Sequence, residues 1–188
     1  MTDAVILGLS VLAVVVQVAL VLLALVAAAS LVSRGARHVL EETRRTVAGG
    51  ELHAAAVVAL VATSGSLYFS EVAGFIPCVL CWWQRIFMYP LVVLLGIAAL
   101  DRGLGAAARR RVTAYLLPLP LLGAAFASYH LYVEHVPGAE SALCTVGVPC
   151  SVRWFTELGY VTLPMLALTA FLAIAALLVL ARTRPGDN

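Results

Sequence analysis

The chain has 188 residues, of which 63% are hydrophobic and only 12% charged, and its mean hydropathy is +1.02. Ordinary globular domains run at roughly half apolar and a quarter charged, so a water-soluble domain is excluded. Disorder, which needs low hydrophobicity and high charge, is excluded with it. The net charge of +2 offers no basic surface for nucleic acid, and all 12 basic residues are arginine.

A bilayer core of about 30 Å needs roughly 20 apolar residues of helix. Charge-free runs of 30, 17, 15, 22 and 24 residues occur at 4–33, 54–70, 86–100, 112–133 and 158–181. The third reaches 20 residues if it begins at Cys81, which sets a cysteine pair at the start of that helix. Five spans are therefore predicted, in an all-α integral membrane protein. The first span lacks a positive N-terminal region, and its run is too long for a signal-peptide core, so it is read as a retained helix. Arg34 and Arg37 stop it, and the segment that follows to residue 53 reads as a solvated connector.

Arginine placement sets the orientation, because cytoplasmic loops collect the positive charge. Arg34, Arg37, Arg44, Arg45, Arg102, Arg109, Arg110, Arg111, Arg182 and Arg184 fall on one side if five spans alternate. Only Arg85 and Arg153 fall on the other. The N-terminus is then outside and the C-terminus inside. Trp82, Trp83 and Trp154 lie on the outer side, where interfacial anchors are expected.

All four cysteines, Cys78, Cys81, Cys144 and Cys150, fall in the two outer loops, the side where disulfides persist. One reading is a pair of structural staples. Closing rings of 4 and 7 residues contributes only roughly 2 kcal/mol each in the chain-entropy model, little for a five-helix bundle. C-x-x-C pairs are instead where thiol pKa values fall and exchange is fast. A zinc ribbon fits the C-x2-C and C-x5-C spacings poorly, and Trp82 stands where covalent haem requires histidine. Arg85 lies four residues after Cys81, one helical turn along the same face. A guanidinium at the membrane edge is a functional candidate by default. With the helix N-terminus it would stabilise a Cys81 thiolate; the alternative is an anchor that snorkels to headgroups.

Gly65-Ser-Leu-Tyr-Phe-Ser-Glu71, Phe75-Ile-Pro-Cys-Val-Leu-Cys-Trp-Trp-Gln-Arg-Ile-Phe-Met-Tyr-Pro90, Val136-Pro-Gly138, Gly147-Val-Pro-Cys-Ser151, Trp154-Phe155 and Gly159-Tyr-Val-Thr-Leu-Pro164 together resemble the DsbB family of quinone-linked disulfide bond formation proteins, in its BdbC branch. Such relays are the known device that keeps a bacterial periplasm oxidising. The resemblance spans about residues 57–181. It implies a four-helix membrane domain at 54–188, with the helix and connector of 1–53 as an addition. It also implies a bacterial cell membrane as the location, with the cysteine loops extracytoplasmic.

The activity it implies is a thiol:quinone oxidoreductase. A reduced extracytoplasmic thioredoxin-fold oxidase, DsbA- or BdbD-like, attacks the Cys144–Cys150 disulfide, with Cys144 taking the mixed disulfide. Cys78–Cys81 reoxidises that pair through an interloop bond between Cys150 and Cys78. Cys81 then faces a quinone, menaquinone rather than ubiquinone, with Arg85 beside its ring. His130 matches a family histidine close to the quinone and is a candidate cofactor-binding residue; His135 is the weaker one. Glu71 is open between pairing with Arg85 and capping its loop. No metal site is expected. A vitamin K epoxide reductase-like quinone reductase and a non-enzymatic membrane protein with stapled loops are the competing readings. The added helix, whose one polar mid-span residue is Gln17, reads as a lipid-facing anchor, its alanines and valines marking no distinctive face. Pro90, Pro118, Pro120 and Pro164 lie within or near spans, where kinks are expected.

Overall fold

Unpaired backbone polar groups cannot be left in hydrocarbon, so a chain this apolar must satisfy them within helices. The computed structural model describes all residues except 102, 137, 141–143, 145–146 and 184–188. Arg102, Arg184, the C-terminal end and Pro137 therefore lie outside the described residues. Seven α-helices are found among the described residues: α1 (Thr2–Ala29), α2 (Arg34–Val47), α3 (Glu51–Leu67), α4 (Val79–Leu100), α5 (Ala106–Leu116), α6 (Pro118–His135) and α7 (Leu163–Arg182). A π turn at Tyr68–Val72 extends α3.

Five stretches are long and apolar enough to cross a membrane: Thr2–Ala29, Glu51–Val72, Val79–Leu100, Ala106–His135 and Leu163–Arg182. They match the five expected spans. Pro118 at the first position of α6 divides the fourth stretch into α5 and α6, since proline has no N–H to continue the helix. α4, by contrast, runs through Pro90. The connector between the first two spans is mostly helical. Ser33 caps α2 by accepting from the Ala36 N–H, and an Arg45–Glu41 ion pair at 3.5 Å lies on its exposed face.

The core lies between α3, α4, α6 and α7. Ala55 and Ala59 of α3, Leu91 and Leu95 of α4, Ala127 of α6 and Phe171, Ile174 and Ala181 of α7 are fully buried. Lipid tails are as apolar as leucine, so helix association in a bilayer depends on close packing, and small residues at the seams permit it. Gly123 shows how close: a Cβ there would sit 2.3 Å from the Phe171 ring. At the arginine-rich end Arg109 donates from Nε to the Ala181 carbonyl at 3.2 Å, where a cation meets the negative end of the α7 dipole.

α1 stands outside this four-helix core and packs along α7 and α2. Most of its surface is exposed, as for a lipid-facing anchor. One face is not: Ile6, Ser10 and Ala13 are buried, and Gln17, one turn further on, hydrogen-bonds to α7. The expected featureless anchor thus has a packed side, which hydropathy does not mark because lipid and neighbouring helix are equally apolar.

Candidate functional site

The chain between the π turn and α4 is drawn tight by the Ala73 N–H donating to the Tyr68 carbonyl at 2.9 Å and the Phe75 N–H to the Phe69 carbonyl at 2.8 Å. Pro77 follows, and Cys78 becomes the N-cap of α4 with extended backbone. That position is where the orphan amides of a helix look for an acceptor. The Cys81 N–H points at the Cys78 sulfur at 3.3 Å, and the two sulfurs are 2.9 Å apart, as free thiols.

The Cys81 thiol donating to the Cys78 sulfur pushes Cys78 down to about 4, against burial, with His130 and the Cys81 amide adding to the effect. The thiolate of the pair therefore sits on Cys78. The sequence placed it on Cys81; the helix N-terminus instead works through the Cys81 amide on the residue before the helix.

Cys144 and Cys150 form a disulfide, with Cα atoms 5.6 Å apart. Both are buried, and they share one apolar cluster with Cys78, Leu80, Val133, Cys81 and Phe126. His130 of α6 links the pairs. Its Nε2 lies 3.0 Å from the Cys150 carbonyl oxygen and 3.7 Å from the Cys78 sulfur, while Nδ1 lies 3.0 Å from Gln84 Nε2. A carbonyl only accepts, so the network places a proton on Nε2. Two sulfurs and a ring nitrogen within 4.8 Å of one another also make a three-donor group of metal-ligating type.

Arg85 is buried one turn after Cys81. Its Nε donates to Ser66 Oγ at 3.0 Å and its Nη2 to the Ser66 carbonyl at 2.9 Å, and the guanidinium lies 5.2 Å from the Trp82 ring centroid. Among the described residues no carboxylate pairs with it; Glu71 instead accepts from Ser70 Oγ at 2.9 Å. The Arg85 charge thus remains available to a ligand. Beside it opens an apolar cavity of about 300 Å³ between α1, α3, α4 and α7, lined at its polar end by Cys81, Gln84, Arg85 and Ser66. His130 faces a separate, much smaller cavity with Cys78, Cys81 and Glu134. His135 bonds back to the Leu131 carbonyl on its own helix and is exposed.

Three participants carry no assigned role in the sequence reading. Ser66 holds Arg85, Gln84 pairs with His130 Nδ1, and Glu134 accepts from Thr162 Oγ1 at 2.8 Å. Each is a polar residue in an apolar span, Gln84 and Glu134 buried and Ser66 half-buried, and that is the signal by which it is detectable. Trp154 stacks on Phe75, which stacks on Phe69, covering the cysteine end.

A cap-position thiolate, a second thiol, a neighbouring disulfide and an apolar cavity define a membrane-embedded thiol–disulfide exchange protein. The family model for disulfide bond formation protein DsbB matches residues 51–181. Disulfide bond formation protein C of Bacillus subtilis is 46% identical over 137 residues, covering 72% of this chain and 95% of its own length. A probable disulfide formation protein of Metapseudomonas resinovorans is 43% identical over 130 residues (68% and 86%). One of Chlamydia trachomatis is 40% identical over 130 residues (69% and 90%). No solved structure is a significant match. The chain belongs to the DsbB family of disulfide bond formation proteins and is a multi-pass membrane oxidoreductase of that process.

Proposed function

We propose that the chain takes electrons from a reduced extracytoplasmic thioredoxin-fold oxidase, DsbA- or BdbD-like, and delivers them to a membrane quinone, most simply menaquinone. The observation that carries the reading is the joining of all four cysteines in one buried cluster whose Cys81 edge also lines the cavity beside Arg85. The cavity's volume lies at the lower end of the roughly 300–1,000 Å³ of small-molecule sites. Its hydrocarbon walls and single cationic end suit a flat apolar ring carrying oxygens. The quinone supplies a lipid-soluble sink for two electrons and two protons.

The chain's own residues do the rest. The partner's dithiol becomes a disulfide as Cys144–Cys150 is cleaved to two thiols, Cys144 forming the transient bond to the partner. That dithiol then reduces a Cys78–Cys81 disulfide, passing through a bond between Cys150 and Cys78, and two electrons have moved one pair inward. His130, between the Cys150 carbonyl and the Cys78 sulfur, holds a proton at the junction. Cys78, ionised at the cap, is the sulfur ready to reclose on Cys81 once the electrons leave. Arg85 stabilises negative charge developing at the cavity's polar end.

In this reading residues 54–188 form the redox domain and 1–53 an added helix with its connector. The cysteine loops face the outside of a bacterial cytoplasmic membrane, with the N-terminus outside and the C-terminus inside. Replacing Cys81 with serine tests the relay. Purified Cys81→Ser protein should reduce no quinone in the presence of a reduced thioredoxin-fold partner, and wild-type turnover in that variant would sink the proposal.

A further inference from the structure

α1 lies outside the four-helix core, yet it is one of the four walls of the cavity that reaches Cys81 and Arg85. At about 100° per residue, its contacts sort into two adjoining faces. Ile6, Ser10 and Ala13 are buried and lead on to Gln17. Gln17 Nε2 donates to Thr169 Oγ1 of α7 at 2.8 Å, and its Oε1 accepts from the Tyr160 hydroxyl at 2.6 Å. Both ends of that amide are engaged, by two partners more than 140 residues away in sequence. In hydrocarbon a glutamine fixes position and register, because leaving it unpaired is costly. The neighbouring face presents Leu9, Leu12, Ala13 and Val16 to the cavity.

Opposite that face stand Val57, Val58 and Val61 of α3, on the same cavity. α1 meets α3 at its cysteine end, where Leu9 Cδ1 comes within 3.1 Å of the Cβ that Gly65 lacks and Thr2 Oγ1 lies 3.4 Å from the Tyr68 hydroxyl. Further along, Leu12, Val57 and Val61 are each at least a third exposed although they line the cavity. The seam between α1 and α3 is therefore closed beside the cysteines and open to lipid towards mid-span. Arg85 and Cys81 sit at the cavity's closed end, and aliphatic side chains of α1 and α3 line its open end.

We infer that α1 is the tail wall of the acceptor site: its Leu9–Val16 face and the valine stripe of α3 hold the isoprenoid tail of the quinone, and the Gln17 latch to Thr169 and Tyr160 keeps that wall in place. This rests on the quinone reading above and adds to it a residue set that selects acceptors by their tails.

The test uses the full chain in detergent–lipid micelles with a reduced thioredoxin-fold partner. KM is measured for menadione, which has no tail, and for menaquinone-4, which has a prenyl tail. Leu12→Trp fills the seam, Gln17→Leu cuts the latch at nearly constant volume, and Val18→Trp puts the same indole on the lipid side of α1, where Val18 is half exposed. The ratio of the menaquinone-4 KM to the menadione KM should rise about tenfold in Leu12→Trp, the scale of one misfitting apolar group in a pocket. It should rise several-fold in Gln17→Leu and hold in Val18→Trp. Leu12→Phe stands in, with the same criterion, if Leu12→Trp does not accumulate. An unchanged ratio in both cavity and latch variants overturns the role of α1 while leaving the quinone reading intact. A wild-type protein that reduces neither quinone overturns the quinone reading itself.

Discussion

Cys78 and Cys81 sit on the first turn of a helix whose amides are already aimed, whereas Cys144 and Cys150 sit in a loop shaped by side-chain straps. The helical pair inherits its electrostatics from backbone geometry: one sulfur occupies the cap, and an amide and a thiol of the turn converge on it. Among the described residues the loop pair lies on none of the seven α-helices. The Glu140 carboxylate accepts from the Ser151 N–H at 2.8 Å, and Arg153 donates to the Glu134 carbonyl. The helical site is thereby built to hold charge beside the cavity. The loop site brings its disulfide back to His130. In the proposed relay the helical pair would serve the acceptor in the cavity and the loop pair the partner protein.

The sharpest way to break this contrast is to titrate the helical pair. In the reduced chain the thiolate absorbance of Cys78 should persist until the pH falls to about 4. Its folded pKa is depressed, so the stability it lends the reduced fold is complete above the ordinary thiol range and is gone once the pH has fallen through about 4. Cys81→Ala removes the leading cause, the thiol donor, and should return the titration towards the roughly 8.5 of a free cysteine. A low titration that survives Cys81→Ala would mean that the Cys81 thiol does not set the thiolate.

Next in size is Arg85. Removing a preorganised donor from a dry site costs on the order of 10²-fold in rate, and Arg85→Ala should lower quinone reduction by about that factor in a steady-state assay with excess partner. Arg85→Lys keeps the charge but not the fork that grips both Ser66 atoms, so its loss should fall between wild type and alanine. Equal rates in all three would detach the cation from the acceptor step.

Which of these features the sequence discloses follows a physical line. Span positions, the start of α4 beside the cysteine pair and the one-turn offset of Arg85 from Cys81 are local, fixed by run length and helical period, and they are legible. The Ser66 grip on Arg85 joins residues 19 apart, and His130 meets Cys150 across 20 residues and Cys78 across 52. No periodicity encodes such pairings. His130 therefore reads from sequence as a quinone neighbour, while the structure sets it between the cysteine pairs. The packed side of α1 is hidden for another reason. Alanine and valine facing lipid look the same as alanine and valine facing a helix, so only Ser10 and Gln17 mark that side, and the partners of Gln17 come from the far end of the chain.

The smallest effect should come from the loop. Glu140 is partly exposed, and the Ser151 side chain and amide hold its carboxyl below the usual carboxylate range. Exposed charged contacts contribute little, so Glu140→Ala should slow oxidation of a reduced partner by less than about fivefold. The effect has a direction in pH. With a folded pKa below the ordinary one, the strap is complete above the ordinary carboxylate range and is lost as acid protonates Glu140. Wild type and Glu140→Ala should then converge in partner-oxidation rate as the pH drops, and differ most near neutrality. A gap that widens in acid would show that Glu140 acts on the partner's surface and not on its own loop. The loop pair would then be positioned by the partner itself, a stronger asymmetry between the two cysteine pairs than the strap provides.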